Sequence, residues 1–446
     1  MSFVQAVPFP RSTERTGRGS APFCAGKKKS RTGGAFPILL CACLALALTG
    51  FTAPGRTGVD DASGVDAIAL VKIALRGGAL VLLALLVLRL NFHRRATAVL
   101  GRFLPMGLFA LWTVTTVLWS PLRVMSFGHA LEVAMLTALG VCAAIVADSG
   151  RKLERLCLGF FLLMSAACAV VMALDSPAIL AGARPIGYMH PNSLAALGGV
   201  ALVILLASRL LMGWTWSRRL LIPGVLVCTT AIFVARSRTG IMATLFVTGV
   251  LLLLFGRRAA ALLLLIACGG LFAFMPYIGA FENLDQKAAA YFLRGQTRED
   301  LMSASGRDEV WAVALNSARE APLFGHGYYS MSDSGKVYVW GKEQVQTAHD
   351  VYLHVLTGTG AIGLALFLWG LAALIFPLIG SAIRSRNRIA ILALGVILWQ
   401  LIGTLFEVGI IGPIDAVTVS FFAIGGAAVG SALNESCSPE ASPCAS

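Results

Sequence analysis

The chain has 446 residues, 57% of them hydrophobic and only 13% charged, with a mean hydropathy of +0.80 and a formal net charge of +14. Soluble globular domains carry about 25% charged residues, so this composition excludes an ordinary soluble enzyme and fits a chain whose solvent is mostly lipid. The positive charge does not mark a nucleic-acid binder: it lies in short loops between apolar runs, and zinc-finger spacings and glycine-rich phosphate loops are absent.

The first 35 residues are rich in Arg, Lys, Ser and Gly and read as a disordered basic tail. Twelve apolar runs follow, at 36–54, 66–90, 98–118, 126–147, 156–175, 191–210, 219–235, 239–256, 259–275, 351–379, 389–406 and 413–432. Each is close to the roughly 20 residues a helix needs to cross the hydrocarbon. The first reads as a retained span rather than a cleaved signal peptide. The second carries Lys72 and Arg76, which either pair inside the bundle or snorkel at a tilted end. The fold class expected is therefore an all-α polytopic membrane protein of about twelve transmembrane helices. Spans one to nine fall within 36–275, spans ten to twelve within 351–432, and a tail occupies 433–446.

Charge in the connecting loops alternates. One set holds the basic tail, Arg94–Arg95, Arg151–Lys152–Arg155, Arg218–Arg219, Arg257–Arg258, and Arg384, Arg386 and Arg388. The other short loops hold Arg56, Arg123, Arg184 and the Arg236/Arg238 pair. The positive-inside rule then predicts an inner-membrane protein with both termini cytoplasmic and residues 276–350 as one large periplasmic loop between spans nine and ten. That loop mixes seven Lys/Arg with ten Asp/Glu. Its Asp308–Glu320 stretch reads as an amphipathic helix with Trp311, Leu315 and Ala318 on one face. Pro322 ends it, and Gly325, Gly327 and Gly335 open the next turns. Cys142, Cys157, Cys168, Cys228 and Cys268 lie in apolar runs and read as small hydrophobes, while Cys437 and Cys444 lie in the polar tail.

Four polar constellations fall on the expected outer side. His190–Pro191–Asn192 precedes span six, where Pro191 fits a first helical turn and Asn192 can satisfy free backbone groups. Arg236–Ser237–Arg238–Thr239–Gly240 joins spans seven and eight, and its arginines read either as interface anchors or as a phosphate clamp. Ser305–Gly306–Arg307–Asp308 opens the loop helix, with Ser305 as cap and Arg307 placed to recruit an anion. His349–Asp350 returns the chain to the membrane, with Asp350 a capping residue and His349 where an imidazole could take a proton from a hydroxyl.

In order and spacing these residues resemble the family of O-antigen ligases and O-antigen or exopolysaccharide polymerases. The resemblance covers roughly 100–410 and rests on His190–Pro191–Asn192, Ser237–Arg238–Thr239–Gly240, Ser305–Gly306–Arg307 with Trp311, Pro322 with Gly325–His326–Gly327–Tyr328, and His349 with Tyr352, Gly358, Gly360, Ile362 and Gly363. Asp350 stands where the family often has Asn. The resemblance implies a GT-C-like membrane glycosyltransferase architecture. It implies an undecaprenyl-pyrophosphate-linked glycan as donor, no nucleotide sugar, no divalent metal and no other cofactor. The acceptor would be another lipid-linked glycan in a polymerase, the reading leaned to here, or lipid A–core in a ligase. His349 would be the catalytic base, and Arg238, Arg307 and Arg236 would bind pyrophosphate. His190, Asn192, His326, Tyr328 and Asp350 would serve the acceptor or the structure, while Glu407 and Asp415, near the last outer connection, could bind sugar or pair with arginine and stay outside the catalytic set. The different-class rivals are a lipid or solute transporter, which should show repeated halves and interrupted midplane helices, and a noncatalytic partner of other polysaccharide-assembly proteins.

Overall fold

The computed structural model describes residues 34–51, 67–89, 94–147, 149–185, 187–210, 212–254, 256–274, 307–339, 342–344 and 347–436. The basic tail, Arg56, Ser305–Gly306, Cys437, Cys444 and the first part of the large loop lie outside these residues.

Long apolar helices dominate: α1 (Ala35–Ala47), α2 (Ala67–Arg89), α3 (Arg94–Thr115), α4 (Arg123–Val146) and α5 (Gly150–Leu174). A short α6 (Ser176–Leu180) precedes α7 (Pro191–Leu210), α8 (Arg218–Ala235), α9 (Arg238–Leu254) and α10 (Arg258–Phe274). The polar segment then supplies α11 (Arg307–Glu320) and strands β1 (Val337–Val339) and β2 (Lys342–Gln344). The chain closes with α12 (Val351–Arg384), α13 (Arg388–Gly403) and α14 (Ala416–Ser436). Eight of these helices are long and apolar enough to cross a membrane, and α1, α9, α10 and α13 are shorter apolar helices. The protein is an α-helical multi-pass membrane protein. Large apolar side chains on its outside, such as Leu88 and Leu263, suit a lipid-facing surface.

Small residues set the closest helix contacts. Gly426 and Gly430 of α14 lie on the backbone of Gly140 and Ala144 of α4, and a Cβ on either would collide with it. Four-residue spacing puts both glycines on one face, the arrangement by which membrane helices approach without a hydrophobic drive. Arg76 of α2 pairs with the buried Glu132 of α4, so of the two sequence readings for Arg76 the internal pair holds. His129 bonds the same carboxylate at 3.0 Å and stacks on Tyr329.

The polar segment has its own small core of Val310, Ala314, Met331, Val337, Val339 and Ala348. The β1–β2 hairpin, absent from the sequence reading, pairs Val337 with Gln344 and Val339 with Lys342. This core corrects the expected face of α11. Val310, Ala314, Ser317 and Ala318 are buried, whereas Leu315 is 43% exposed. Trp311 is only partly covered and spends its indole N–H on the Ala348 carbonyl at 3.1 Å. The helix is rotated so that its small residues meet the hairpin.

A glycine clasp fixes this cap to the bundle. The α12 backbone breaks at Gly360 (φ 70°, ψ −174°), a conformation open essentially to glycine. The chain from Pro322 to Gly327 lies along the break. His326 N–H donates to the Thr357 carbonyl at 2.9 Å, Gly327 N–H to Gly358 at 2.9 Å, and Ala361 N–H back to Pro322 at 2.8 Å. Cβ atoms at Gly325 and Gly360 would strike the opposing backbone. The Pro322–Tyr328 run and the Gly-rich start of α12 are thus two halves of one backbone-to-backbone contact.

Candidate functional site

The four sequence constellations converge at one end of the bundle, and the group that joins them is Glu407, in the connection between α13 and α14. One of its oxygens accepts from Asn192 Nδ2 at 2.7 Å and from Arg307 Nη2 at 3.3 Å. The other faces His349 Nδ1 at 3.2 Å. Asn192 Oδ1 in turn accepts from Ser237 Oγ at 2.9 Å, and Ser237 Oγ also takes the Gly240 N–H at the start of α9. The starts of α7, α9, α11 and α12 are therefore tied to one carboxylate.

Electrostatics keep that carboxylate ionised. Burial alone would raise the Glu407 carboxyl, but the hydrogen bond and charge of His349, then His190 and Arg307, outweigh it and hold the group at about 2. An ionised carboxylate only accepts, so Nδ1 of His349 donates to it, and in the neutral imidazole the basic nitrogen is Nε2. His349 has φ 48°, an unusual left-handed conformation for a non-glycine residue, and its side chain is 24% exposed. Asp350 follows as the cap of α12, accepting from the Leu353 N–H at 2.8 Å. Burial raises its carboxyl even though the Leu353 and Tyr352 N–H groups pull it down.

The cations gather beside this carboxylate. Arg307 opens α11, is 17% exposed, and lies over the Phe406 ring with its guanidinium carbon 5.8 Å from the centroid. Arg238 opens α9, half-buried, within the field of both Arg184 and Arg307. Arg236 holds the left-handed turn after α8 (φ 50°) and donates to the Gly182 carbonyl at 2.9 Å. His190 caps α7 differently from the expectation: its Nδ1 accepts the Asn192 N–H at 3.3 Å, leaving the Asn192 side chain for Glu407 and Ser237. Burial pushes the His190 imidazole down; Glu407 opposes this, while Arg184, His349 and Arg307 reinforce it.

Two of the expected residues stand apart. His326 is buried and bonds the Ser317 carbonyl through Nε2 at 2.9 Å. Tyr328 is fully buried, its hydroxyl donating to the Ile411 carbonyl at 2.7 Å and its N–H to Thr116 Oγ1 at 2.9 Å. Both belong to the clasp. The arginine partner expected for Glu407 is Arg307, and the same carboxylate, kept outside the catalytic set in the sequence reading, also joins His349 and Asn192. Its one sequence signal is an acidic side chain next to an outer-side helix end, too common to choose on. Among the described residues no group of three His, Cys, Asp or Glu is arranged to hold a metal ion, and the seven described cysteines are free.

This end of the bundle thus offers an imidazole oriented by a carboxylate, beside guanidiniums suited to phosphate oxygens. A comparison with curated proteins gave no match. A family model described as O-antigen ligase matches residues 223–368, a stretch containing Arg236, Arg238, Arg307, His326, Tyr328, His349 and Asp350 but not Arg184, Asn192 or Glu407. Over that segment, the chain is similar to the O-antigen ligase family.

Proposed function

We propose that this protein transfers a glycan from undecaprenyl pyrophosphate to a sugar hydroxyl at the periplasmic face of the inner membrane, as an O-antigen ligase with lipid A–core as acceptor. The ligase is preferred to the polymerase leaned to from sequence because the matching family model is described as O-antigen ligase. The observation that carries the chemistry is the bifurcated Glu407. It bonds the proposed base, His349, and the proposed phosphate ligand, Arg307, at once.

In this reading His349 Nε2 takes the proton of the acceptor hydroxyl as that oxygen bonds to the anomeric carbon. The bond from that carbon to the phosphate oxygen breaks, and undecaprenyl pyrophosphate leaves as an anion. Glu407 keeps Nδ1 protonated and offsets the imidazolium charge that develops. Arg307 and Arg238 hold the pyrophosphate and stabilise the charge it gains. Arg307 also screens that pyrophosphate from the Glu407 carboxylate, which would otherwise repel it. The imidazolium then returns its proton to water. In this architecture, read as GT-C-like, the twelve apolar helices cross the membrane with both termini cytoplasmic.

The test uses the purified chain, lipid-linked glycan, and either lipid A–core or a second lipid-linked glycan as acceptor. A ligase yields glycosylated lipid A–core; elongation of lipid-linked glycan alone would replace this reading with the polymerase. His349→Ala should lower turnover about 10²- to 10⁴-fold, the usual worth of a positioned base. Full turnover in that variant would remove His349 from the chemistry.

A further inference from the structure

Arg184 lies between α6 and α7, where the sequence presents it as one more isolated outer-loop arginine. Its Nε donates to the Ala235 carbonyl at 3.1 Å, at the last residue of α8. Arg236 replies across the same gap with its bond to the Gly182 carbonyl at 2.9 Å. The two bonds lash the 182–184 turn to the 235–238 turn, which also carries Ser237 and Arg238 of the site.

The lash uses only Nε of Arg184. Nη2 is buried and has no hydrogen-bond partner among the described residues. A buried guanidinium donor without an acceptor is costly, and such groups are rarely left so. The neighbours deepen the cost: Arg236 bears on Arg184, and Arg238 feels both Arg184 and Arg307. Neutral side chains could lash two turns together without that repulsion. Converging guanidiniums with an unspent buried donor suit a place that is completed when an anion enters.

We infer that Arg184 is a phosphate-oxygen ligand, a third guanidinium beside Arg238 and Arg307. This rests on the pyrophosphate reading above and adds a division of labour. Arg307 shares Glu407 with His349 and so serves the phosphate bonded to the sugar. Arg184 serves the second phosphate, the one nearer the lipid. The site therefore selects pyrophosphate over monophosphate.

The experiment measures calorimetric binding of inorganic pyrophosphate and of inorganic phosphate to the full chain in a nonionic detergent. Wild type is compared with Arg184→Gln, Arg184→Lys and Arg307→Ala. Wild type should prefer pyrophosphate. Arg184→Gln should weaken pyrophosphate on the order of tenfold, the worth of one charged hydrogen bond, and phosphate much less. Arg184→Lys should fall between, at an unchanged melting temperature. Wild-type binding in Arg184→Gln, with Arg307→Ala weakened, would overturn the role of Arg184 and leave the pyrophosphate reading standing. No pyrophosphate binding by wild type, or none lost in any variant, would overturn both. Equal losses in the Gln and Lys variants with a lowered melting temperature would make Arg184 a lash alone. A parallel arm uses nanodiscs containing phosphatidylglycerol. A loss confined to that arm would make Arg184 a lipid-headgroup ligand and overturn the inference.

Discussion

The clasp and the site sit within a few residues of each other on the same chain, yet they are built from opposite materials. The clasp is backbone against backbone, with glycines where any Cβ would strike the facing chain. The site is side chain against side chain, with one carboxylate, one imidazole and several guanidiniums joined by polar bonds. Sterics admit a single arrangement in the first. In the second, charges balance one another and a ligand can change the balance. The lesson is that the clasp fixes where α11 and the start of α12 lie, so that Arg307 and His349 need little reorganisation to act.

The comparison breaks most visibly at Gly360. Alanine there must adopt φ 70° with ψ near 180° and push its Cβ into the Leu323 carbonyl. The strain alone is about 1–3 kcal/mol before the collision is counted. Gly360→Ala is expected to lose abundance in the membrane and to melt well below wild type, together with its activity. A variant that melts normally would show that the clasp does not fix the cap.

Glu407→Gln attacks the other region, through charge instead of sterics. The amide keeps a bond to Asn192 or to His349 but loses the charge that sets the His349 tautomer. Turnover should drop on the order of 10²-fold, judged against the 10²–10⁴ of a full base, and the melting temperature should fall at neutral pH because the stabilising charge is gone. Acid sharpens the contrast. The folded pKa of about 2 lies below the ordinary 4.5, so the ionised carboxylate stabilises the fold at every pH above about 4.5. That contribution is lost as pH falls through about 2. The wild-type advantage in melting temperature over Glu407→Gln should therefore shrink between those values. An advantage that stays unchanged between pH 4.5 and about 2 would mean another group is responsible.

How much of this was legible in sequence divides along the same line. Apolar runs announce helices locally, and every expected run coincides with a helix whose ends differ by a few residues. Arg238, Arg307 and His349 stood out because polar residues at helix starts beside a large loop are locally conspicuous. The phase of α11 was not legible, because it depends on which face meets a hairpin whose strands are three residues long. Glu407 was legible only in part, as a candidate partner for arginine and not as the group that also ties His349 and Asn192. Its role exists only through contacts with residues 58, 100 and 215 positions away. His326 and Tyr328 drew attention for their residue type, yet their partners are carbonyls of the scaffold.

Tyr328 gives the finest test of the division, because a conspicuous polar residue near a site invites a catalytic role. Its ring is buried against Phe109, with centroids 6.3 Å apart, and its hydroxyl reaches only the Ile411 carbonyl among the described residues. Tyr328→Phe keeps the ring and the packing while removing one hydrogen bond and leaving one carbonyl unsatisfied. That should cost about 1–3 kcal/mol of stability, read as a modest fall in melting temperature in detergent. Ile411 lies in the same α13–α14 connection as Glu407, so loosening it can reach the site only by shifting that carboxylate. If the clasp holds the connection as firmly as its other contacts suggest, turnover at saturating donor should stay within about twofold of wild type, in line with a scaffold bond worth about 1 kcal/mol that is made equally in ground and transition states. A selective fall in turnover with unchanged melting would instead move Tyr328 from the scaffold to the chemistry.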